Sequence, residues 1–359
     1  MLNVWLILSI ILLAAFVFEF INGFHDTANS IATTVSTRVL SPRGAILMAA
    51  VLNFVGAYAS TPLLPELFPN VFKHAVAKTI SKGLINETVP QHVIIAALCA
   101  AIIWGLVTWR LGLPSSSSHA VIGGLLGASI VDFWHVGIVN WFGVWDKVIL
   151  WLFASPVIGF IVAFLVMNLL FELLRKVSMY VATRWFSKLQ IFSAAFMAFS
   201  HGSNDAQKTM GIITMALISL GATHTGEFPA WMMPSESHPI PFWVIIACGV
   251  VMALGTSLGG WRIIKTMGVN MIKLNPVGGF AAETSAALVI ETCSFFGIPL
   301  STTHVISSSI MGVGAAKRFS SVRWTVARSM VFAWVFTIPV SMALGALIDL
   351  AVKGILKFV

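Results

Sequence analysis

Asn22-Gly-Phe-His-Asp-Thr-Ala-Asn29 follows a run from Val4 to Phe20 built mostly of Leu, Ile, Val, Ala and Phe. It places a carboxylate, an imidazole and two amides at the end of a segment suited to hydrocarbon. In lipid a carboxylate costs at least ~2.5 kcal/mol, and such residues face a cavity, a partner or an ion path. Asp26 is therefore either a site residue or the interfacial end of a first membrane span.

The composition decides between soluble and membrane classes. Of 359 residues, 58% are apolar and 9% charged, and several apolar runs approach the length that crosses a bilayer. The formal charge of +8 arises from 21 Lys and Arg against 13 Asp and Glu, with the basic residues gathered in short loops between apolar runs. That distribution sets membrane topology and is not a nucleic-acid footprint. Cys99, Cys248 and Cys293 all lie in apolar segments and read as small core hydrophobes, so neither disulfide nor metal ligation is expected. The N-terminus has no basic leader and runs straight into the polar motif, which argues against a cleaved signal peptide.

In the first half, a span from Val4 is expected to break at Asn22-Gly23 and to resume as helix through Val35. Further spans follow at about Ala45 to Tyr58, Val93 to Trp109, Ala120 to Val131 and Val148 to Phe171. Between Pro65 and Gln91 lies a polar connection whose amphipathic piece, His74 to Lys82, suits the membrane surface. The second half repeats this plan. Asp26 and Asp205 each stand three residues after a glycine, Gly23 and Gly202, at an offset of 179. Gly112-Leu-Pro-Ser-Ser-Ser-Ser-His119 recurs as Gly297-Ile-Pro-Leu-Ser-Thr-Thr-His304 at an offset of 185. Two motifs in the same order at nearly the same spacing indicate an internal duplication.

Placing Arg38, Arg43 and the basic stretch from Arg175 to Lys188 inside gives the first half five crossings, with both chain termini outside. An odd number forces the second half to enter upside down. The expected architecture is thus an all-α polytopic membrane protein of two inverted-topology repeats. They comprise residues 1–171 and 191–359, of about five spans each, joined by a short basic cytoplasmic linker at 172–190.

Pro114 and Pro299 forbid continuous helix in the two hairpin motifs, and irregular backbone at membrane depth survives only where it is buried or lines water. Each break precedes a helix start rich in hydroxyls. Free amides and hydroxyl donors at a helix N-terminus make an anion site. Ser116, Ser117, Ser118, Ser301, Thr302 and Thr303 would then converge on one point; the alternative is serine-capped turns that let helices pack closely. If Asp26 and Asp205 share that point, the carboxylates oppose an anion. Two unit charges ~4 Å apart interact by ~4 kcal/mol at an effective dielectric of ~20. Positive charge must accompany the anion, or a carboxyl must be protonated. Hydrogen phosphate can also donate its own hydrogen to a carboxylate, which sulfate at neutral pH cannot.

Asn22 to Asn29 and His201 to Lys208 resemble the duplicated Gly-Ala-Asn-Asp-x-Ala-Asn signature of the inorganic phosphate transporter (PiT) family. Pro114 to His119 and Pro299 to His304 are similar to its paired Pro-x-Ser-Thr-Thr-His hairpins, and the likeness spans essentially the whole chain. The resemblance implies a bacterial inner-membrane symporter importing inorganic phosphate with a cation. Substrate and cation would lie around Asp26, Asn29, Asn204, Asp205, Gln207, Lys208 and the six hydroxyls. The nearest branch in motif wording, the bacterial low-affinity transporters, implies proton coupling and phosphate carried as a neutral divalent-metal complex. No resident cofactor is implied. Partners are phosphate and lipid, and the sequence admits a homo-oligomer without requiring one.

Departures from the signature bear on the coupling ion. His25 replaces an asparagine, and Gln207-Lys208 replaces a small residue plus Asn, which weakens a sodium site built from two symmetric asparagines. Imidazole is the side chain that ordinarily changes charge near neutrality, and His25 joins Asp26 and Asp205 as a cation-coupling candidate. Lys208 would either supply fixed charge to phosphate or pair with Asp205. Glu283 is a further cation-site candidate, with a buried hydrogen-bonded carboxyl as the rival reading. Glu19 and Glu291 are weaker candidates of the same kind. His119 and His304 suit packing or capping, and His224 and His238 suit a solvated loop. A sulfate permease of the same fold and a passive anion channel are the competing functions; an enzyme is not expected, because no nucleophile, base and orienting acid fall together.

Overall fold

A computed structural model describes residues 4–59, 75–236 and 238–356. The described chain is helical throughout, with one isolated bridge between Ile85 and Val139. Its helices are α1 (Val4–Ser36), α2 (Pro42–Ala59), α3 (Ala75–Lys82), α4 (Gln91–Leu111), α5 (Ser117–Phe133) and α6 (Trp141–Leu173). They continue as α7 (Met179–Thr223), α8 (Phe242–Leu258), α9 (Trp261–Asn270), α10 (Pro276–Phe295), α11 (Thr302–Lys317) and α12 (Trp324–Leu356). Five of these are long and apolar enough to cross a membrane, or six if the pair α8 and α9, bent by 61°, counts as one span. Leu47, Phe153, Leu165, Leu254 and Leu347 are all more than half exposed and belong to the apolar outer surface that a bilayer requires.

The interior comprises two apolar clusters with a polar layer between them. α1 gives Leu8, Ile11 and Phe18 to one cluster and Ala28, Ile31 and Ala32 to the other. α7 gives Met197 and Ala198 to the second cluster and Met210, Ile213 and Leu217 to the first. These two helices therefore run in opposite directions through the same pair of clusters, each carrying its aspartate motif across the gap.

Packing partners exchange between the halves. α1 lies on α8 as α7 lies on α2; α5 packs on α12 as α11 packs on α6; α4 pairs with α5 as α10 pairs with α11. The crossings depend on glycine. A Cβ on Gly23 would overlap the Met252 carbonyl of α8, and one on Gly202 would overlap the Asn53 backbone of α2. Small residues that let helix backbones touch are the usual contact in membrane bundles.

This explains a difference from the sequence expectation. Asn22-Gly23 does not interrupt the first span, because α1 is continuous from Val4 to Ser36. Gly23 serves close approach rather than breakage, and Asn22 donates to Glu19 at 3.5 Å within the same helix. The second motif is likewise inside an unbroken helix of 45 residues, which already begins at Met179, within the basic stretch.

Two connections also differ. The piece expected on the membrane surface forms α3, but Val76, Ala77 and Ile80 are buried and the helix packs against α7. Residues 65–74 of that polar connection lie outside the described residues. The connection with Arg262 and Lys265, whose charges suit a loop between spans, is instead the helix α9, turned from α8 at Gly259 and Gly260.

The two hairpins break where their prolines require. α4 ends at Gly112 and α10 is followed by Gly297, both with φ of 68°, in the left-handed region that glycine adopts without steric cost. Their amides turn back to Trp109 and Ser294, each at 3.0 Å. Thr266 of α9 donates to the Gly112 carbonyl, and Thr79 of α3 to that of Gly297, each at 2.8 Å. α5 and α11 then start afresh, their first turns directed at the polar layer.

Candidate functional site

Four segments meet in the polar layer: the middles of α1 and α7 and the N-termini of α5 and α11. Asp26, His201 and Asp205 bring one ligand atom each within 4.8 Å of the others, and all three are at most 1% exposed. Ser117 Oγ donates to Asp26 Oδ2 at 3.3 Å. Thr302, at the same register of the second hairpin, donates to Asp205 Oδ2 at 3.1 Å. Asn29 ties the first motif to the second hairpin, its Nδ2 lying 3.3 Å from Thr302 Oγ1 and 2.9 Å from Thr303 Oγ1. Ser118 donates to the Leu300 carbonyl at 3.2 Å, joining hairpin to hairpin.

The six hydroxyls thus divide by task. Ser116 and Ser301 cap their own helices, accepting from the amides of His119 at 3.2 Å and His304 at 3.3 Å. Such a cap is worth ~1 kcal/mol and fixes the entry of the helix. The hydroxyls of Ser117 and Thr302 are the ones on the carboxylates. Thr302 is buried, whereas Ser117 is half-buried.

The two aspartates have different neighbours. His25 Nδ1 lies 2.7 Å from Asp26 Oδ1, and its Nε2 lies 3.3 Å from Thr108 Oγ1 on α4. Asp205 Oδ1 instead accepts from the Lys208 ammonium one turn on, and His201 Nε2 stands 3.3 Å from Oδ2. Lys208 is therefore the ion-pair partner of Asp205, and at 1% exposure the pair is fully buried. Coulomb attraction at low dielectric compensates such a desolvated pair only when both partners are present.

Other candidates lie off this centre. Gln207 turns toward α3, donating to the Ser203 carbonyl at 2.9 Å and accepting from the Ala77 amide at 3.4 Å. Asn204 donates to Ser294 Oγ on α10. Glu283 accepts from Thr33, Ser193 and Gln190, the last at 3.2 Å. Thr33 is seven residues beyond Asp26, about 10 Å along α1 by helical rise. Glu19, seven residues before Asp26, accepts from Thr209 and Asn22. Two hydrogen-bonded glutamates thus flank the centre from opposite sides. Glu291 accepts from Ser203 at 2.9 Å. His119 and His304 lie ring to ring at 5.1 Å, with His304 stacked on Trp334 at 4.3 Å, a packing role behind the hairpins.

His201 is the central residue that motif spacing alone did not single out. It stands four residues before Asp205, which puts both on one helix face, and that register is the signal that finds it.

The chemistry follows from the charges. Lys208 offsets one of two carboxylates, so with neutral imidazoles the centre keeps one net negative charge. Two helix N-termini and their hydroxyls nonetheless aim donors at it. A cation or a proton at such a centre lowers the cost of holding an anion there.

A model of the phosphate transporter family matches residues 22–345, a range containing both aspartate motifs and both hairpins. The chain belongs to the phosphate transporter family. A Bacillus subtilis (strain 168) protein named "Probable low-affinity inorganic phosphate transporter" is 45% identical over 349 residues, covering 96% of this chain and 97% of the relative. A Rhizobium meliloti (strain 1021) protein of the same name is 45% identical over 343 residues, covering 95% of each. A solved structure titled "The sodium-dependent phosphate transporter" superposes with a TM-score of 0.80 at 26% identity, over 97% of this chain and 99% of that one. This member of the family is a multi-pass membrane protein whose polar centre is enclosed by its bundle.

Proposed function

We propose that this chain imports inorganic phosphate by symport with a cation, binding it between Asp26 and Asp205 at the N-termini of α5 and α11. The observation that carries the reading is the matched pair of hydroxyl-to-carboxylate contacts, Ser117 on Asp26 and Thr302 on Asp205. A protonated phosphate oxygen would donate to a carboxylate, while unprotonated oxygens take the hydroxyl and amide donors. Sulfate, which lacks that hydrogen at neutral pH, would meet the carboxylates without a donor.

The cation follows from the residual charge. A proton on the Asp26 and His25 pair, or a divalent metal arriving with phosphate, would neutralise the centre. His25 in place of an asparagine favours the proton over sodium. Glu283, held by three neutral donors, is the second position proposed to take up a coupling cation. The antiparallel course of α1 and α7 supports two inverted halves, and the gathering of Lys and Arg in the stretch from Arg175 to Lys188 is the reason to put that stretch inside and both termini outside.

The test is uptake of labelled phosphate into proteoliposomes with sodium and pH gradients imposed separately, and with sulfate as competitor. Uptake driven by the pH gradient and indifferent to sulfate is expected. Uptake indifferent to both gradients would make the chain a passive channel, and strong sulfate competition would make it a broader oxyanion permease.

A further inference from the structure

A second group of ionisable side chains lies away from the phosphate centre. His92 is in the first turn of α4, Asp132 in the last turn of α5, and Asp349 and Lys353 near the end of α12. His92 Nε2 stands 2.7 Å from Asp132 Oδ1 and 3.7 Å from Asp349 Oδ1. One ligand atom from each of the three residues falls within 4.8 Å of the others. Lys353 pairs with Asp132, donates to its carbonyl at 2.8 Å and lies 3.9 Å from Asp349.

Asp349 is the residue this arrangement leaves unfinished. Its side chain is 0% exposed, yet neither carboxylate oxygen has a hydrogen bond among the described residues. A buried carboxylate with no donor is costly. The Lys353 ammonium at 3.9 Å and the His92 imidazole at 3.7 Å both stand beyond hydrogen-bonding reach of it.

We propose that His92, Asp132 and Asp349 form a divalent-cation site, with Lys353 as the internal cation that occupies it when no metal is bound. An ion holding nitrogen and oxygen ligands at about 2.0–2.2 Å sets its donors roughly 3.4 Å apart. The two distances from His92 bracket that spacing. One imidazole with two carboxylates selects a borderline first-row ion such as Zn2+ over Mg2+, which prefers oxygen alone. Lys353 is the part that can leave, since its side chain is 29% exposed, and His92, at 24%, gives access from water.

The site is not a by-product of the duplicated plan. At the offset of 185 that aligns the hairpins, Val277 stands for His92 and Lys317 for Asp132. Among the described residues, only one face of the molecule carries it. A bound ion would strap the α4 and α5 pair, whose connecting hairpin holds Ser117, to α12 at the end remote from substrate.

The test uses the full chain in phosphate-free detergent, with Zn2+ binding read by calorimetry and Co2+ by its visible ligand-field absorption. Asp26→Asn serves as the background, so that the phosphate centre does not compete for metal. One ion per chain is expected there, with an imidazole-containing Co2+ spectrum that His92→Gln and Asp349→Asn abolish. Lys353→Met should bind Zn2+ about tenfold more tightly, the ~1.4 kcal/mol of a removed competitor. A purely structural ion-pair cluster gives the opposite result: Lys353→Met then lowers Tm and gains no Zn2+. That outcome, or an unchanged Co2+ spectrum in His92→Gln, overturns the proposal. His92 is partly exposed, so its variant still discriminates between the two outcomes if Asp349→Asn does not fold.

Discussion

Asp26 and Asp205 occupy equivalent places in two matched motifs, yet their surroundings differ in kind. Asp205 is held by a buried lysine on its own helix and by the buried Thr302. Asp26 has the His25 imidazole beside it in place of an ammonium and takes its hydroxyl from the half-buried Ser117. The duplication thus supplies two carboxylates, of which one has permanent compensation. A dianion is tolerated best where one negative charge is already cancelled, and coupling is most economical where the other is cancelled only on demand. Under the proposed symport, this asymmetry would give anchoring to the second half and charge exchange to the first.

Four experiments break or sharpen this contrast. Asp26→Asn should reduce phosphate uptake to the level of empty liposomes while leaving Tm unchanged, because no fixed cation loses its partner; uptake at the wild-type rate removes Asp26 from the site. Asp205→Asn should also stop uptake, but with a loss of roughly 3–5 kcal/mol of stability from the stranded Lys208 ammonium. Adding Lys208→Met to Asp205→Asn should then restore Tm in thermal melts without restoring uptake. If the single variant melts normally, the pair is not what compensates Asp205.

Next in size, Thr302→Ala should raise the apparent KM for phosphate more than Ser117→Ala. Thr302 serves both Asp205 and Asn29, each bond being worth ~1 kcal/mol, and an equal effect would deny the bridging role. Smallest is Ser116→Ala, expected to cost ~1 kcal/mol of stability through the lost cap, with KM nearly unmoved. A large change in KM would instead make Ser116 a substrate ligand.

Much of this was legible in the chain. Recurrence of Asp26 as Asp205 and of Pro114 as Pro299 announced two corresponding breaks and two corresponding carboxylates, because proline and charge in apolar sequence have few uses. Local signals misled where packing overrode them. Asn22-Gly23 reads as a helix stop, yet Gly23 is the notch for the Met252 carbonyl. The piece ending at Lys82 reads as a surface helix, yet α7 covers its apolar side. Gln207, one residue from Lys208, faces α3 and not the centre, which spacing alone leaves ambiguous.

The sequence by itself determined the class, the duplicated motifs and the positions of the two proline hairpins, since each follows from residues adjacent in the chain. The tertiary structure alone decided which hydroxyls cap and which reach a carboxylate. It also decided that Lys208 compensates Asp205, and that His92, Asp132 and Asp349 come together. Lys208 and Asp205 share a helix, but the burial that forces them to pair, like the other outcomes, comes from helices remote in sequence, and a buried polar group is defined by the neighbour that desolvates or satisfies it.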